Sequence, residues 1–354
     1  MKVLVDCRMA SWSGVGRYTH GLVSGLSADP ELSLTLITGT DAPPFPAGLR
    51  TVPASYSAFS LAGMFELASI IRREAPDVVH CTHFPTPASN HRPLVVTLHD
   101  LTPLVMPEVM PSRIRRLVYR SLNARAVRMA ESIVTPSNAT ARDVARVFPA
   151  AAAKTVVTPL AADDFANGPI AADPGVQGRF VISMGNTKPN KDLPTLFAAF
   201  GRVAESNPDV RLVLAGVESQ GYLDAAVPRA IRSRVLFTGP LTDDCLRALY
   251  AGATVFAFPS RYEGFGLPPL EAMALGTPVV AADAASLPEV VGDAAVLVAP
   301  QDVAALASAL ETLLNDADVR RVYSEKGRAR AAHFSWRQTA RLTADVYRLA
   351  LARR

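Results

Sequence analysis

Two glutamates separated by seven residues lie in the stretch "SRYEGFGLPPLEAMALGTPVVA" at residues 260–281. Glu263 comes directly before a Gly-Phe-Gly turn, and Glu271 lies about two turns into the helix that we expect to follow. Glycine permits a sharp turn, and proline suits the first turn of a helix. The sequence therefore predicts a cluster of backbone N–H donors at a helix N-terminus, which is a good binding site for phosphate.

The two carboxylates in this stretch call for a different ligand group, because a carboxylate repels phosphate. We expect both to accept hydrogen bonds from hydroxyl groups, Glu263 at one end of a ligand and Glu271 at the other. A sugar and a ribose with a diphosphate between them fit this arrangement. A capped helix with one surface glutamate is the structural alternative.

A second loop, basic in character, lies in "VISMGNTKPNKDLPTLFAAF" at residues 181–200. We expect a strand to end at Gly185 and a helix to begin near Asp192. Lys188 and Lys191 lie between them and are placed to meet a diphosphate, whose charge grows as it leaves. A solvated loop with two surface lysines is the alternative.

Several histidines also follow predicted strands. His99 comes just after the strand in "VVTLHDLTPL", where a ligand of a parallel sheet binds, and we expect it to donate a hydrogen bond to a sugar hydroxyl or to steady charge at the reacting carbon. His80 and His83, in "VVHCTHFPTP", are weaker candidates for the side of the site where a second substrate, the acceptor, would bind. They face opposite sides of a strand, so their spacing does not predict a metal site.

Two more loops hold candidate ligand contacts. In "SWSGVGRYTHGL", Gly14 and Gly16 predict a flexible loop that leads into a helix at Arg17, although their spacing is not the dinucleotide-binding pattern. In "VLFTGPLTDDCLRALY", Asp243 has the acceptor chemistry that reads a guanine edge. The N-cap of the following helix is the simpler role for Asp243.

Short apolar, β-branched runs alternate with helical patterns throughout the 354 residues, which predicts an α/β fold with parallel sheets covered on both faces. A linker-like composition near residues 159–178 divides the chain almost in half. We therefore expect a Rossmann-like domain at residues 1–165, a linker at residues 166–178 and a second Rossmann-like domain at residues 179–334. The amphipathic helix at residues 335–354 is expected to pack back on the first domain.

Composition excludes several classes of protein. The three cysteines are unclustered, the N-terminus lacks the apolar run of a signal peptide, and no long uncharged apolar segment occurs. We therefore expect a cytoplasmic protein. The net charge of +4 is mild, and we expect no nucleic-acid partner.

One segment, "PSRIRRLVYRSLNARAVRM", is strongly basic and contains no acid. On a helix, Arg113, Arg116 and Arg120 share one stripe, while Ile114 and Leu117 lie towards another. A basic amphipathic helix of this kind, from Arg113 to Arg128, suits peripheral contact with the cytoplasmic face of the inner membrane. A solvated arginine-rich face is the alternative.

Taken together, these motifs resemble the retaining glycosyltransferases of the GT-B architecture, of the group 1 or family 4 type, which carry two glutamates with seven residues between them. The resemblance extends over nearly the whole chain and is most specific in "PSRYEGFGLPPLEAMALGTPVVAADAASLPEVVGDAAVLVAP". It implies two Rossmann-like domains whose parallel sheets face each other across a cleft. The nucleotide sugar would be the donor substrate.

The resemblance also implies roles for individual residues. Glu263 holds hydroxyls of the donor sugar, Glu271 holds the ribose, and Glu263, His99 and Lys191 are the catalytic candidates. The remaining donor contacts that it implies are Gly14, Gly16, Gly185, Lys188, Leu241, Asp243 and the backbone of Gly264, Phe265, Gly266 and Leu267. Relatives usually carry an arginine where this sequence has Asn190, so either Lys188 substitutes for it or one phosphate contact is lost.

The reaction implied by the resemblance is transfer of a hexose with retention, by front-side attack, without metal or cofactor. The motifs "GVGRY", "HDLTPL" and "KPNKDL" resemble those of bacterial mannosyl- or rhamnosyl-type transferases. The resemblance implies a GDP-sugar donor and a glycan or lipid-linked acceptor of surface polysaccharide. A UDP-sugar-dependent glucosyltransferase or epimerase is one alternative. A non-catalytic subunit of a glycan-assembly complex is the other.

Overall fold

The structure is a computed structural model that describes residues 1–89, 91, 93–171, 175–217 and 226–353. The first half of the chain contains β1 (Lys2–Cys7), α1 (Ser13–Ser27), β2 (Ser33–Thr38), β3 (Arg50–Pro53), α2 (Leu61–Glu74), β4 (Val78–Cys81), β5 (Leu94–Thr97), α3 (Thr102–Val105), α4 (Arg113–Met129), β6 (Ser132–Thr135), α5 (Asn138–Val147) and β7 (Thr155–Val157). The second half contains α6 (Asp163–Ala166), β8 (Phe180–Met184), α7 (Leu193–Ser206), β9 (Arg211–Ala215), β10 (Val235–Phe237), α8 (Asp243–Gly252), β11 (Val255–Phe258), α9 (Leu267–Ala274), β12 (Val279–Ala282), α10 (Leu287–Val291), β13 (Val296–Val298), α11 (Val303–Asn315), α12 (Ala317–Ala331) and α13 (Trp336–Ala352).

The chain forms two compact units, one of Met1–Ala161 with the C-terminal segment from Ser335, and one of Ala162–Phe334. The first unit has a seven-stranded sheet of order β3-β2-β1-β4-β5-β6-β7, and the second has a six-stranded sheet of order β10-β9-β8-β11-β12-β13. The strand pairings found among the described residues are all parallel. The prediction of two Rossmann-like α/β domains is confirmed.

Interior strands of both sheets are apolar on both faces, because helices cover both sides of a parallel sheet. All four residues of β4, β5 and β6 are buried in the first unit, as are those of β11 and β12 in the second. The edge strands β3, β7 and β13 are short and partly exposed. Each core is therefore centred on the middle strands, whose ends carry the candidate site residues.

The stretch predicted to be a linker lies, in its described part, against the second unit. Phe165 of α6 is buried, and the guanidinium of Arg247 on α8 stacks over its ring at 5.1 Å. Arg247 Nε also donates to the carbonyl of Pro169 at 2.5 Å, and the N–H of Ala171 donates to the carbonyl of Asp244 at 3.1 Å. The segment that follows the first unit is thus bonded to α8.

The C-terminal helix α13 packs against α1 in the first unit through glycine. A Cβ atom at Gly21 would overlap the indole ring of Trp336, and one at Gly25 would lie 2.6 Å from the Trp336 carbonyl oxygen. The hydroxyl of Thr339 donates to the carbonyl of Pro159 at 2.6 Å. These contacts attach α13 to the sheet of the first unit.

We predict that Gly21→Ala destabilises the first unit by about 1–3 kcal/mol, because the added methyl group overpacks the contact between α1 and α13. The matched control is Gly14→Ala on the same helix, where no heavy atom lies within 4 Å of the added carbon. The control is expected to change stability by less than about 1 kcal/mol.

Urea unfolding followed by tryptophan fluorescence measures this directly, because the two tryptophans of the chain, Trp12 and Trp336, both lie in the first unit. Equal unfolding midpoints for the two variants would show that α1 and α13 are not tightly packed.

Candidate active site

The strand order of the second unit creates a switch point between β8 and β11. β8 pairs with β9 on one side and with β11 on the other, so chain connections leave β8 in opposite directions. Ligands of open α/β sheets bind at such a point, beyond the carboxyl ends of the two strands. Residues 185–192 follow β8 and residues 259–266 follow β11, so both loops predicted from the sequence lie at this position.

An ion pair joins these two loops. Nζ of Lys191 lies 2.6 Å from Oε1 of Glu263, and the hydroxyl of Ser260 donates to the same oxygen at 2.5 Å. The side chains of Lys191 and Glu263 are 14% and 17% exposed, so the pair is partly accessible to solvent. Since both donors use Oε1, Oε2 of Glu263 is the oxygen available to a ligand hydroxyl.

Asn190, where the resemblance led us to expect an arginine, makes structural contacts. Its Nδ2 donates to the carbonyl of Tyr262 at 3.1 Å. Its own carbonyl accepts from the N–H of Arg261 at 2.7 Å, and the hydroxyl oxygen of Ser260 lies 3.0 Å from it. Asn190 is buried and uncharged. It therefore fixes the distance between the two loops and offers no charge to a phosphate.

Two glycines with positive φ are required by the shape of these loops. Gly185 has φ +147° and Gly266 has φ +118°. A Cβ atom on Gly185 would lie 3.1 Å from Cε of Lys191, and one on Gly266 would lie 2.8 Å from Cδ2 of Leu287. Gly185 thus leaves space for the lysine side chain at the end of β8, and Gly266 permits the turn into α9.

The glycine turn after Glu263 is held in place from below. The hydroxyl of Ser286 lies 2.9 Å from the carbonyl of Glu263 and 2.6 Å from that of Phe265. The side chain of Phe265 is buried and packs edge-on against Phe334 at 5.8 Å. The buried ring of Phe265 therefore does not face a ligand, and any contact made by Phe265 would come from its backbone.

Helix α9 begins at Leu267, so Glu271 lies one turn into the helix and not two. Pro268 and Pro269 carry no N–H, which leaves the N–H of Leu267 and those of the preceding turn as the donors at this helix N-terminus. Glu271 is only 2% exposed. The hydroxyl of Tyr250 lies 3.4 Å from its Oε2, within the same switch-point region.

The other predicted donor contacts lie at the surface. Lys188 is exposed, and its backbone N–H donates to Oδ1 of Asn186 at 3.0 Å. Leu241 is partly exposed in the turn before α8, and Asp243 is exposed. Thr242 takes the N-cap position with extended backbone, and Asp243 is the first helical residue. The N-cap role expected for Asp243 is therefore wrong.

In the first unit, His99 follows β5, next to the switch point between β1 and β4. Its Nε2 lies 2.8 Å from the carbonyl oxygen of Thr82. A carbonyl can only accept, so Nε2 carries the proton and Nδ1 is an acceptor. Burial lowers the pKa of His99, which keeps the ring neutral. The expected donation to a sugar hydroxyl is thus corrected, since in this arrangement Nδ1 accepts.

His80 belongs to a buried hydrogen-bonded chain and does not line a surface, so its assignment to the acceptor side is wrong. Its Nδ1 lies 2.7 Å from the hydroxyl of Tyr347, and its Nε2 lies 2.8 Å from Oγ1 of Thr97. The hydroxyl of Tyr18 bonds to the same Thr97 oxygen at 2.8 Å. Burial, with a smaller effect of the nearby His99, lowers the pKa of His80 to about 3.

The flexible loop predicted at Gly14 and Gly16 is also wrong. Helix α1 begins at Ser13, so both glycines lie in its first turn. A Cβ atom on Gly16 would overlap the carbonyl oxygen of Ala10, whereas Gly14 is exposed with open space around it. Gly16 is therefore needed for close approach of α1 to the turn before it.

The first turns of α4 project into solvent. Ile114, Leu117 and Val118 are 76%, 66% and 53% exposed, and Arg113 and Arg120 beside them are exposed as well. Among the described residues, no helix combines the length and the apolar character needed to cross a membrane. Over the same residues, no three His, Cys, Asp or Glu side chains are grouped to hold a metal ion.

Comparison with known proteins identifies the family. The family "Glycosyl transferases group 1" matches residues 173–330, and "Glycosyltransferase Family 4" matches residues 12–164. The chain is 31% identical over 315 residues to "O-antigen chain mannosyltransferase B" of Escherichia coli, an alignment that covers 86% of this chain and 82% of the relative. The chain therefore belongs to the group 1 glycosyltransferases and is an enzyme of this class.

Solved structures support the same fold. Sucrose-phosphate synthase from Thermosynechococcus elongatus superposes with a TM-score of 0.82 at 20% identity, over 99% of both chains. Anabaena HepE, solved in complex with UDP and glucose, superposes with a TM-score of 0.73 at 19% identity, over 98% of both chains. The two parallel α/β units are thus those of the GT-B architecture.

Two serines that build the site were not predicted from the sequence. Ser260 donates a hydrogen bond to Glu263. It is a polar residue just past the end of β11, and that position could have marked it in the sequence as a site residue. Ser286 comes from the loop after β12 and bonds to the glycine turn only in the folded chain. No local pattern marks Ser286.

We predict that stability of the first unit falls as pH is lowered from about 6.5 towards 3. The unfolded chain binds a proton at His80 in this window, while the pKa of about 3 keeps the folded His80 neutral. Each such histidine contributes up to about 1.4 kcal/mol per pH unit. His80→Gln is expected to be less stable at pH 7.5 but to show a smaller slope against pH.

The measurement is urea unfolding by tryptophan fluorescence between pH 4.5 and 7.5, with His333→Gln as the control because His333 is exposed in the folded chain. An unchanged slope in His80→Gln would mean that His80 is accessible to protons in the native state.

Proposed function

We propose that this enzyme transfers a mannosyl group, or a rhamnose-type sugar, from a GDP-sugar to a glycan or lipid-linked acceptor of bacterial surface polysaccharide. The carrying observation is the cluster of Lys191, Glu263 and Ser260 at the switch point of the second unit. The alignment with O-antigen chain mannosyltransferase B covers 82% of that relative. Its name supports mannose as the transferred sugar and surface polysaccharide as the product.

The contacts in the second unit support a division of roles. Oε2 of Glu263 accepts from a sugar hydroxyl, and Lys191 with the N-terminus of α9 stabilises the diphosphate that leaves. Glu271, close to the end of β8, accepts from the ribose. In the first unit, Nδ1 of His99 accepts from a substrate hydroxyl at the edge of its own sheet.

Transfer is proposed to proceed with retention and without a divalent cation or cofactor. The bond between the anomeric carbon and the diphosphate oxygen breaks while the acceptor oxygen bonds to the same face of that carbon. The acceptor proton passes to the departing phosphate. Positioning and stabilisation of the leaving group then supply most of the rate enhancement.

A UDP-sugar donor is the second candidate, supported by the structural neighbour solved with UDP and glucose. The two donors can be separated with a thermal-shift assay of GDP, UDP, GDP-mannose and UDP-glucose. Turnover is then measured with EDTA present. Stabilisation and turnover with GDP-mannose alone, with an α-linked product by NMR, support the proposal. Response to UDP-sugars alone overturns the donor, and binding without any turnover indicates a non-catalytic subunit.

We predict that Lys191→Ala weakens GDP binding about 10- to 100-fold, because a charge-assisted contact to phosphate is worth about 1.5–3 kcal/mol. The matched control is Lys326→Ala, which removes another lysine of the second unit that pairs with an aspartate, Asp293, at 3.0 Å. Isothermal titration with GDP measures both. Equal affinities for the two variants would remove Lys191 from the diphosphate site.

Peripheral contact of α4 with an anionic membrane is also proposed. Its exposed apolar residues Ile114, Leu117 and Val118 lie three and four positions apart on one side of the helix, and arginines flank them. Apolar insertion and attraction to anionic lipid act together on such a surface.

We predict that Leu117→Asp reduces co-sedimentation with vesicles containing phosphatidylglycerol by about tenfold. The substitution removes an exposed leucine that would insert into the bilayer and adds a charge that anionic lipid repels. Leu61→Asp is the control, because Leu61 is 75% exposed on α2 of the same unit. If both variants bind as the native protein does, α4 is a solvated surface.

A further inference from the structure

A cavity of about 260 Å³ opens in the first unit between the loops that follow β1, β2 and β3. Trp12 comes from the first loop, Thr40 from the second, and Tyr56 and Phe59 from the third. The volume is near the lower end of the range of about 300–1,000 Å³ typical of small-molecule sites. It fits a ligand of one or two rings.

Three aromatic side chains of this cavity are exposed. Trp12, Tyr56 and Phe59 are 50%, 55% and 39% exposed, and the rings of Trp12 and Phe59 stack at 5.4 Å with an interplanar angle of 21°. Exposed aromatic surface that the fold does not bury is typical of binding sites.

The loop that carries Tyr56 and Phe59 is ordered by its own hydrogen bonds. The carboxylate of Glu66 on α2 accepts from the N–H groups of Ser55 and Tyr56 at 2.8 and 3.1 Å. The hydroxyl of Ser60 donates to the carbonyl of Ser57 at 2.8 Å. The backbone that carries the aromatic residues is therefore held in place before any ligand arrives, which reduces the entropic cost of binding.

A buried ion pair fixes the other side of the cavity. Arg8 and Asp6 pair at 2.6 Å with side chains only 2% and 7% exposed. Arg8 Nη1 also donates to the carbonyl of Gly63 at 2.9 Å, at the start of α2. Since the only basic residue among the cavity's lining residues, all of them described, is already neutralised, the cavity is not suited to a phosphate or a nucleotide.

The chemistry of the lining matches a saccharide. A pyranose ring has an apolar C–H face, which packs on an aromatic ring, and a rim of hydroxyls that need hydrogen-bond partners. Ser11, Thr40, Asp41 and Ser57 supply polar groups around the aromatic rings. A hydrocarbon chain would bury these polar groups without partners.

Ring contacts connect the cavity to His99. Phe59 lies edge-on to His83 at 6.2 Å between centroids, and His83 lies edge-on to His99 at 5.5 Å. Nδ1 of His83 is shielded from solvent and has no hydrogen-bond partner in the described part of the chain. A ligand held at Phe59 therefore extends towards the residue predicted to contact the reacting sugars.

We propose that Trp12, Tyr56 and Phe59 form a subsite for a sugar ring of the acceptor glycan, on the side of His83 away from His99. The inference rests on the proposed glycosyl transfer for its place in the reaction, and it specifies that the acceptor is an existing glycan chain. Glu66 is a positioning residue that holds the aromatic loop.

The first test needs no catalysis. Because Trp12 is exposed and Trp336 is buried, a saccharide at the subsite should shield Trp12 from acrylamide quenching. The probes are α-linked mannotriose and farnesyl phosphate, each added to the full chain. Protection by mannotriose supports the subsite, whereas protection by farnesyl phosphate alone overturns it in favour of a lipid.

The second test compares steady-state constants. Tyr56→Ala is expected to raise the KM for a mannotriose acceptor at least tenfold, with the KM for the donor and the rate of donor hydrolysis unchanged. The matched control is Phe65→Ala, which removes an aromatic ring that is 67% exposed on α2 and lies outside the cavity. Glu66→Gln should raise the acceptor KM and leave kcat unchanged.

The outcomes separate the two proposals. If mannotriose shields Trp12 but no sugar nucleotide is turned over, the proposed transfer fails and the subsite stands. If GDP-mannose is turned over while Tyr56→Ala and Phe65→Ala have equal acceptor KM values, the transfer stands and the subsite is wrong.

Discussion

The contact between Lys191 and Glu263 determines what the second unit can bind. A carboxylate this close to a phosphate site is unfavourable by itself, and the lysine at 2.6 Å offsets its charge. Ser260 and Asn190 hold the two loops at that distance. The loops therefore lose little conformational entropy when a ligand binds. In the proposed function, the same pair gives its cation to a diphosphate and its second carboxylate oxygen to a hydroxyl.

The first unit differs from the second because polar groups lie in its core. His80 connects the sheet to Tyr347 of α13 and, through Thr97, to Tyr18 of α1. Burial lowers the pKa of His80 and raises the pKa values of Tyr18 and Tyr347, so all three stay neutral. Each hydrogen bond satisfies a group that would be costly to bury alone. The last helix of the chain therefore supports the strand ends next to His99, although it is distant from them in sequence.

The sequence predicted the parts of this structure that a local pattern encodes. Interior strands could be predicted because burial on both faces gives apolar runs. The edge strands β3, β7 and β13 are only three or four residues long and partly exposed, so they give a weaker pattern. Glu263 and Lys191 were found because charged residues follow strands. Gly14 and Gly16 were misread as a loop, since packing against Ala10 and not flexibility requires glycine at residue 16. The contacts of Asn190 and Ser286 depend on the tertiary fold, so no spacing reveals them.

The side chains that remain exposed differ in kind between the two units. Among the described residues, most of the large apolar side chains that remain exposed lie in the first unit, in the aromatic loop, on α2 and on α4. The second unit instead presents a lysine, carboxylates and backbone N–H groups at its switch point. Charges and amides suit a nucleotide diphosphate, while aromatic and apolar surfaces suit a glycan and a lipid surface. Because the apolar residues of α4 are flanked by the exposed Arg113 and Arg120, the first unit combines apolar and basic surface, whereas the pair at the switch point of the second unit joins opposite charges.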